Sequence, residues 1–449
     1  MQTPEIVVGL VPLARTTFDM ALAEQVTAQV RARLEAQGFV LRGPAGLITN
    51  MEETHAAAAA LAADPPDLLL VFQATFADST MVLELAQAVD APLLMWAIPE
   101  GPTGGRLRLN SLCGINLGAH SLKRAGIHYT TVYAAPEDES ALEKVRTWGL
   151  AGRARRLLRG ARIGRVGENP AGFEPCTLDK AALQTRFGVE VVQLTLAEIF
   201  AAVQATPPED VDAVFAGLRD RLDRLDEMDA TALRCSLATY LTLQRFAGEQ
   251  QLNGLAVRCW PEFFTDLGCA ACGAMSLLSN ELTPCSCEAD INGTVTQLLL
   301  QWISGTPTFG TDMVSFDLEQ DQAIVWHCGL APLAMADPDF RPRATIHSNR
   351  KLPLLMEFPL KPGPVTIARL TEAAGTGRYQ LVVGSGEMLR APLSFSGTSG
   401  VLRFERPAAQ VLETILSEGL DHHISLTYGA YAPTLLALAE LLELPVLRL

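Results

Sequence analysis

Signals for export or membrane insertion are missing from this chain. Its longest apolar runs, such as the Ala-rich stretch at 56–63, fall well short of the ~20 residues that a membrane span requires. The run at 6–11 (IVVGLV) is short, has no basic segment ahead of it and is followed by Arg15 and Asp19, unlike a signal peptide. Basic charge is scarce as well: 35 lysines and arginines face 50 aspartates and glutamates, for a net charge of −15. Nucleic acids and anionic membranes both need a basic face, so neither is expected as a partner. Nucleotide-binding fingerprints are absent too. The turn after the strand at 163–166 (GRVGENP) lacks both G-x-G-x-x-G and a P-loop lysine and reads as a plain βα connection.

Nine cysteines give no zinc pattern. Cys269-x-x-Cys272 has a suitable spacing, but Cys285-x-Cys287 has one residue between its thiols where structural zinc sites have two or more. The apolar surroundings (AACGAMSLL) point to core packing. With no export signal, reduced thiols and a cytoplasmic location are expected. What is present is a chain of 449 residues, 49% apolar, long enough for two or three domains around substantial cores.

Along the chain, short β-branched runs at 6–11, 39–42, 68–72 and 92–98 alternate with helical periodicity, a rhythm that predicts a parallel, doubly wound sheet. A second such unit starts at 163. Beyond 309 short strands and Pro/Gly turns replace helices and predict a β-barrel-like region, with helix and strand returning after 408. The expected segments are 1–160, 161–308 and 309–449. Ligands bind at the carboxyl ends of parallel strands, which singles out Arg15, Gln73 and Trp96 in the first unit. Trp260 follows the strand at 255–259, where either a ligand-stacking or a core ring is expected.

The stretch CSCEADINGTVTQLLLQWISGTPTFGTD, residues 285–312, places Glu288 and Asp312 on either side of a helix expected at 294–302, with Asp312 just before a strand at 313–316. His327 ends an alternating strand, and the pair His422-His423 follows Asp421 and precedes another. Glu288, Asp312, His327 and His423 together make a ligand set suited to Mn²⁺ or Mg²⁺, with Zn²⁺ or Co²⁺ as further fits.

At these residues the sequence resembles the L-fucose/L-arabinose isomerase superfamily. CEADINGTVTQLLLQWISGTPTFGTD is similar to the segment that supplies that family's two metal carboxylates, and HHISLTYGAYAPTLLALAELLELPV to its closing segment with a metal histidine, here His423. The resemblance implies an α/β fold with two Rossmann-like doubly wound domains followed by a C-terminal β-barrel-like domain. It also implies a homo-oligomer, trimer or hexamer. The implied activity is aldose–ketose isomerisation of a free, small-molecule sugar through a cis-enediol with Mn²⁺, Mg²⁺ or Co²⁺. Glu288 and Asp312 would be the catalytic carboxylates, and His423 a metal ligand. His327 would ligate the metal or contact the sugar, and Arg15, Trp96 and Trp260 would be further substrate contacts. A non-catalytic sugar-binding relative, or a metal-dependent ketose aldolase or lyase, would use the same fold.

Overall fold

The structure is a computed structural model that describes residues 4–373 and 378–449. The described residues divide into two compact units, one built from 4–156 with 440–442 and the other from 157–439 with 443–449.

In the first unit, strands β1 (Val7–Leu13), β2 (Val40–Arg42), β3 (Leu68–Gln73), β4 (Leu93–Ala97) and β5 (Thr130–Tyr133) form a parallel sheet in the order β2-β1-β3-β4-β5. β3 and β4 are apolar at nearly every position and buried throughout, as strands covered on both faces must be. The helices between them start where short polar side chains cap them. Asp19 accepts the N–H of Leu22, and Asn50 that of Glu53. This strand order is the flavodoxin-like form of the doubly wound sheet. The winding is therefore as expected, whereas the six-stranded Rossmann order is not built. Trp96, at the centre of β4, is fully buried, and its indole N–H donates to the Ala134 carbonyl. A ring so enclosed and satisfied belongs to the core, which corrects its reading as a substrate contact.

The second unit opens with another parallel sheet, made of β6 (Arg162–Val166), β7 (Glu190–Leu194), β8 (Gly254–Val257) and β9 (Cys285–Ser286) in the order β7-β6-β8-β9. The helix Ile291–Ser304 follows, capped by the Asp290 carboxylate on the Gly293 N–H and ended by Gly305 at φ 69°. The chain then turns antiparallel through β10 (Phe309–Asp317), β11 (Gln322–His327), β12 (Arg343–Thr345), β13 (Leu355–Pro359), β14 (Gly363–Ala373), β15 (Arg378–Leu389), β16 (Thr398–Phe404), β17 (His423–Tyr428) and the parallel β18 (Val446–Arg448). Six of these close into a ring, β16-β11-β10-β17-β14-β15, because β15 pairs back onto β16. Closure leaves no open edge on those strands. The parallel sheet and the barrel share one core, with Leu255, Met275, Phe309, Val325, Phe358 and Leu426 among its members.

Two elements differ from expectation in ways that matter. β10 begins at Phe309, so Asp312 lies inside a strand instead of ahead of one. The amphipathic run VDAVFAGLRDRLDRLDE at 211–227 predicts one long helix, but the helix Pro208–Arg219 ends within it, and Arg224 in the left-handed region at φ 61° breaks the run.

Candidate active site

Strands β6, β8 and β9 are parallel, so their carboxyl ends open on one edge of the sheet, where doubly wound folds bind ligands. Trp260 follows β8 there and Glu288 follows β9. Glu288 and Ala289 both occupy the left-handed region, at φ 58° and 55°. Such backbone costs of order 1–3 kcal/mol per non-glycine residue and clusters at functional sites. The tight turn aims the Glu288 carboxylate away from the sheet. Its Oε1 accepts the Trp260 indole N–H at 3.0 Å, and its Oε2 lies 3.1 Å from His422 Nε2.

The opposite wall comes from the barrel. Asp312 in β10 pairs directly with His423 in β17. Residues opposed in an antiparallel pair project from the same face. Register alone thus brings together two side chains more than a hundred positions apart. His423 Nε2 is 3.7 Å from Asp312 Oδ1 and 3.8 Å from Glu288 Oε2. Both separations are too long for hydrogen bonds. His423 Nε2 therefore stands between the two carboxylates without bonding either, and Asp312 Oδ1 is buried with no hydrogen-bond partner. Two atoms each bound at ~2.2 Å to one ion in tetrahedral disposition stand about 3.6 Å apart, so this spacing fits a divalent cation.

A network behind His423 sets its tautomer. Its Nδ1 lies 3.1 Å from Asp290 Oδ2, and Asp290 in turn receives Arg369 at 2.6 and 3.2 Å. Arg369 also reaches Asp421 at 2.9 Å. A proton on Nδ1, donated to Asp290, leaves Nε2 as a lone pair facing the two carboxylates. Burial alone would raise the Asp290 pKa, but Arg369 and His423 outweigh it and hold that carboxyl well below the usual range. Asp312 is pushed up, chiefly by burial and against the pull of the histidines.

The structure thus gathers Glu288, Asp312 and His423, with Trp260 holding the first. His327 and His423 line one small cavity, their rings 6.2 Å apart. Burial, then the His423 and His422 charges, push the His327 pKa down to about 3, so its imidazole is neutral. Its Nδ1 accepts the backbone N–H of Cys328 at 2.9 Å, which puts the ring proton on Nε2. Arg15 lies in the other unit, ion-paired with Asp78 and 5.1 Å above the Phe76 ring.

Sequence reasoning missed Asp290, Arg369, His422 and Cys176. Cys176, Glu288, His422 and His423 offer ligand atoms all within 4.8 Å of one another. Burial, with Asp290 and Glu288 nearby, raises the Cys176 thiol pKa, so it stays protonated and is a poor partner for a hard ion. A lone arginine in the apolar run VTIARL was the available sign of Arg369. Asp290 had the dual look of a turn residue. Cys269, Cys272 and Cys285 lie in the core, outside that cluster.

Comparison with known proteins agrees with this geometry. A family model described as fucose/sulfoquinovose isomerase, N-terminal domain, matches residues 9–148, and one described as L-fucose isomerase, C-terminal domain, matches 356–449. Sulfoquinovose isomerase of Alkalicoccus urumqiensis is 29% identical over 439 residues, 98% of each chain. That of Priestia aryabhattai is 29% identical over 437 residues, 97% of each. The protein of the same name from Clostridium sp. (strain MSTE9) is 30% identical over 383 residues, 84% of this chain and 85% of its own. Matched at both ends by family models and along nearly its whole length by these relatives, the chain belongs to the L-fucose isomerase-like family and is an isomerase.

Proposed function

We propose that the chain is a divalent-metal-dependent aldose–ketose isomerase, and that a sulfonated aldose such as sulfoquinovose, named for its relatives, is the first substrate to test. The observation that carries this reading is that His423 Nε2 lies 3.8 Å from Glu288 Oε2 and 3.7 Å from Asp312 Oδ1, the latter buried and unpartnered. These three residues would hold the ion, and two carboxylates with one imidazole suit Mn²⁺, with Mg²⁺ or Co²⁺ as substitutes. A bound divalent cation stabilises negative charge as it develops on the sugar's O1 and O2 and makes the C2 proton more acidic.

The protein's own groups do the rest. One of the two carboxylates takes the C2 proton, giving a cis-enediol, and the proton is returned at C1 while the hydroxyl proton passes from O2 to O1. The ketose results with atoms balanced. Trp260 keeps Glu288 from swinging out of line by its 3.0 Å hydrogen bond. Asp290 keeps His423 in the tautomer that presents Nε2. His327, neutral with its proton on Nε2, acts as a hydrogen-bond donor to a sugar hydroxyl and not as a ligand. Arg15 is left as a contact made across copies in a trimer or hexamer.

The test is conversion of aldoses by protein stripped with a chelator and reloaded with Mn²⁺. Ketose should form only after reloading, and Glu288→Gln should fold normally while losing at least about a thousand-fold in turnover. Undiminished ketose formation by the stripped protein, or by the variant, would sink the assignment.

A further inference from the structure

A buried arginine next to this site has no carboxylate in ion-pair contact with it. Arg165, near the end of β6, is 7% exposed. Its Nη2 donates to Asn169 Oδ1 at 2.8 Å, its Nε has no partner, and no carboxylate lies within ion-pair distance of it among the described residues. Glu168, three positions on, acts on it only through space and is itself exposed to water. Every comparable cation nearby is matched. Arg258 grips Glu262 at 2.7 and 2.8 Å, and Arg369 is shared by Asp290 and Asp421. Arg350, over the Trp260 ring at 4.8 Å, also lacks an ion pair, but it is half-buried and water reaches it. An enclosed guanidinium left unpaired is costly, and proteins keep such a group where a ligand supplies the missing charge.

Its place in the fold says which ligand. Arg165 is level with Ala256 in β8, and Ala256 with Ser286 in β9, two residues before Glu288. Adjacent strands are about 4.8 Å apart, so Arg165 and the catalytic strand end are separated by ~10 Å of backbone. Arg165 also lies near Cys176, whose sulfur is within 4.8 Å of ligand atoms of Glu288 and His423. From bond lengths of ~1.5 Å, a six-carbon sugar with a sulfonate on its last carbon is on the order of 8 Å long. Its reacting end at Glu288 and its anion at Arg165 fit one molecule.

We propose that Arg165, assisted by Asn169, is the anion subsite that selects a sulfonated sugar. A guanidinium presents paired N–H donors to two oxygens of a tetrahedral anion, a match that a neutral hydroxyl cannot give. This deepens the isomerase reading and rests on it for the reaction, though not for anion binding itself.

Two measurements test it. In the first, methanesulfonate is added to the full chain, and thermal unfolding is followed for wild type, Arg165→Gln and Asn169→Ala. Methanesulfonate should raise the wild-type Tm, raise that of Asn169→Ala less, and leave Arg165→Gln unmoved. Equal shifts in all three, or none, would overturn the proposal. So would stronger protection by inorganic phosphate, which would mark a phosphosugar site. In the second, the Mn²⁺-loaded enzyme is given a 6-sulfonated aldose and its 6-deoxy counterpart. Arg165→Gln should lower the ratio of their kcat/KM values about 100-fold, mainly through KM. Equal losses on both sugars would reduce Arg165 to a structural residue. Wild type that converts only the neutral sugar defeats the subsite and leaves the isomerase standing. If wild type converts neither sugar, the isomerase reading falls and the methanesulfonate arm alone decides on the subsite.

Discussion

Glu288 keeps its carboxylate in place by strain and by a single indole hydrogen bond, and the two act at different levels. The left-handed turn fixes where the side chain starts, and Trp260 fixes where it ends. Trp260→Phe keeps the ring but removes the donor. Turnover should fall about 10-fold or more with little change in Tm, since a positioning bond matters more to the reaction than to the fold. Steady-state rates beside a melting curve would check both halves. A second residue gives a pH signature. His347 accepts the backbone N–H groups of Asn349 and Arg350, and burial, then Arg350 and Lys351, push its pKa down to about 4. The unfolded chain binds this proton at about 6.5, the folded chain only near 4. Between those values the unfolded state carries more protons, so stability is complete above pH 6.5 and declines as pH falls toward 4. His347→Asn should flatten the loss of Tm between pH 7 and 5. An unchanged slope would rule His347 out as its source. At this scale the sequence showed Glu288, Asp312 and His423, because each carries charge or an imidazole beside a turn or strand signal. It hid Asp290 and Arg369, because a residue that acts only by holding another carries no pattern of its own.

Pairing register builds the second half of the site. Asp312 opposite His423 is a property of β10 and β17 together, and a slip of one residue would turn both side chains to the other face. The seam between β15 and β16 locks that register around the ring. A Cβ on Gly386 would meet the Arg403 carbonyl at 2.4 Å, so Gly386→Val should open the seam. A loss of about 1–3 kcal/mol in urea unfolding, with activity falling in step, is expected. Wild-type stability in that variant would show that the seam does not hold the register. The strands were legible in part: the alternating run that ends at His327 located β11, and the short strands expected beyond 309 are there. The extent of β10 was not. Gly310 and Thr311 look like a turn, and they extend only because Phe309–Asp312 pair with β17 from a distant part of the chain.

On the scale of the whole molecule, the clearest expectation concerns the ion. Two carboxylates flank His423 there, and a chain with a net charge of −15 gains by neutralising them. Chelation should lower Tm by several degrees, and Mn²⁺ should restore it by mass action. A Tm indifferent to Mn²⁺ from micromolar to millimolar would argue against the metal centre. Light scattering would likewise decide whether copies associate as a trimer or hexamer. The parallel-sheet rhythm was readable in each unit, because it repeats along the chain. Ring closure was not, because it depends on which strands find each other.

That closure has one more consequence. β17 lies between β10 and β14 in the ring yet comes from the last thirty or so residues of the sequence. Without that strand the carboxylates of Glu288 and Asp312 would lack the imidazole whose Nε2 stands 3.7–3.8 Å from each. Half of the candidate site thus depends on a contact of very long sequence separation, the kind that is slow to form.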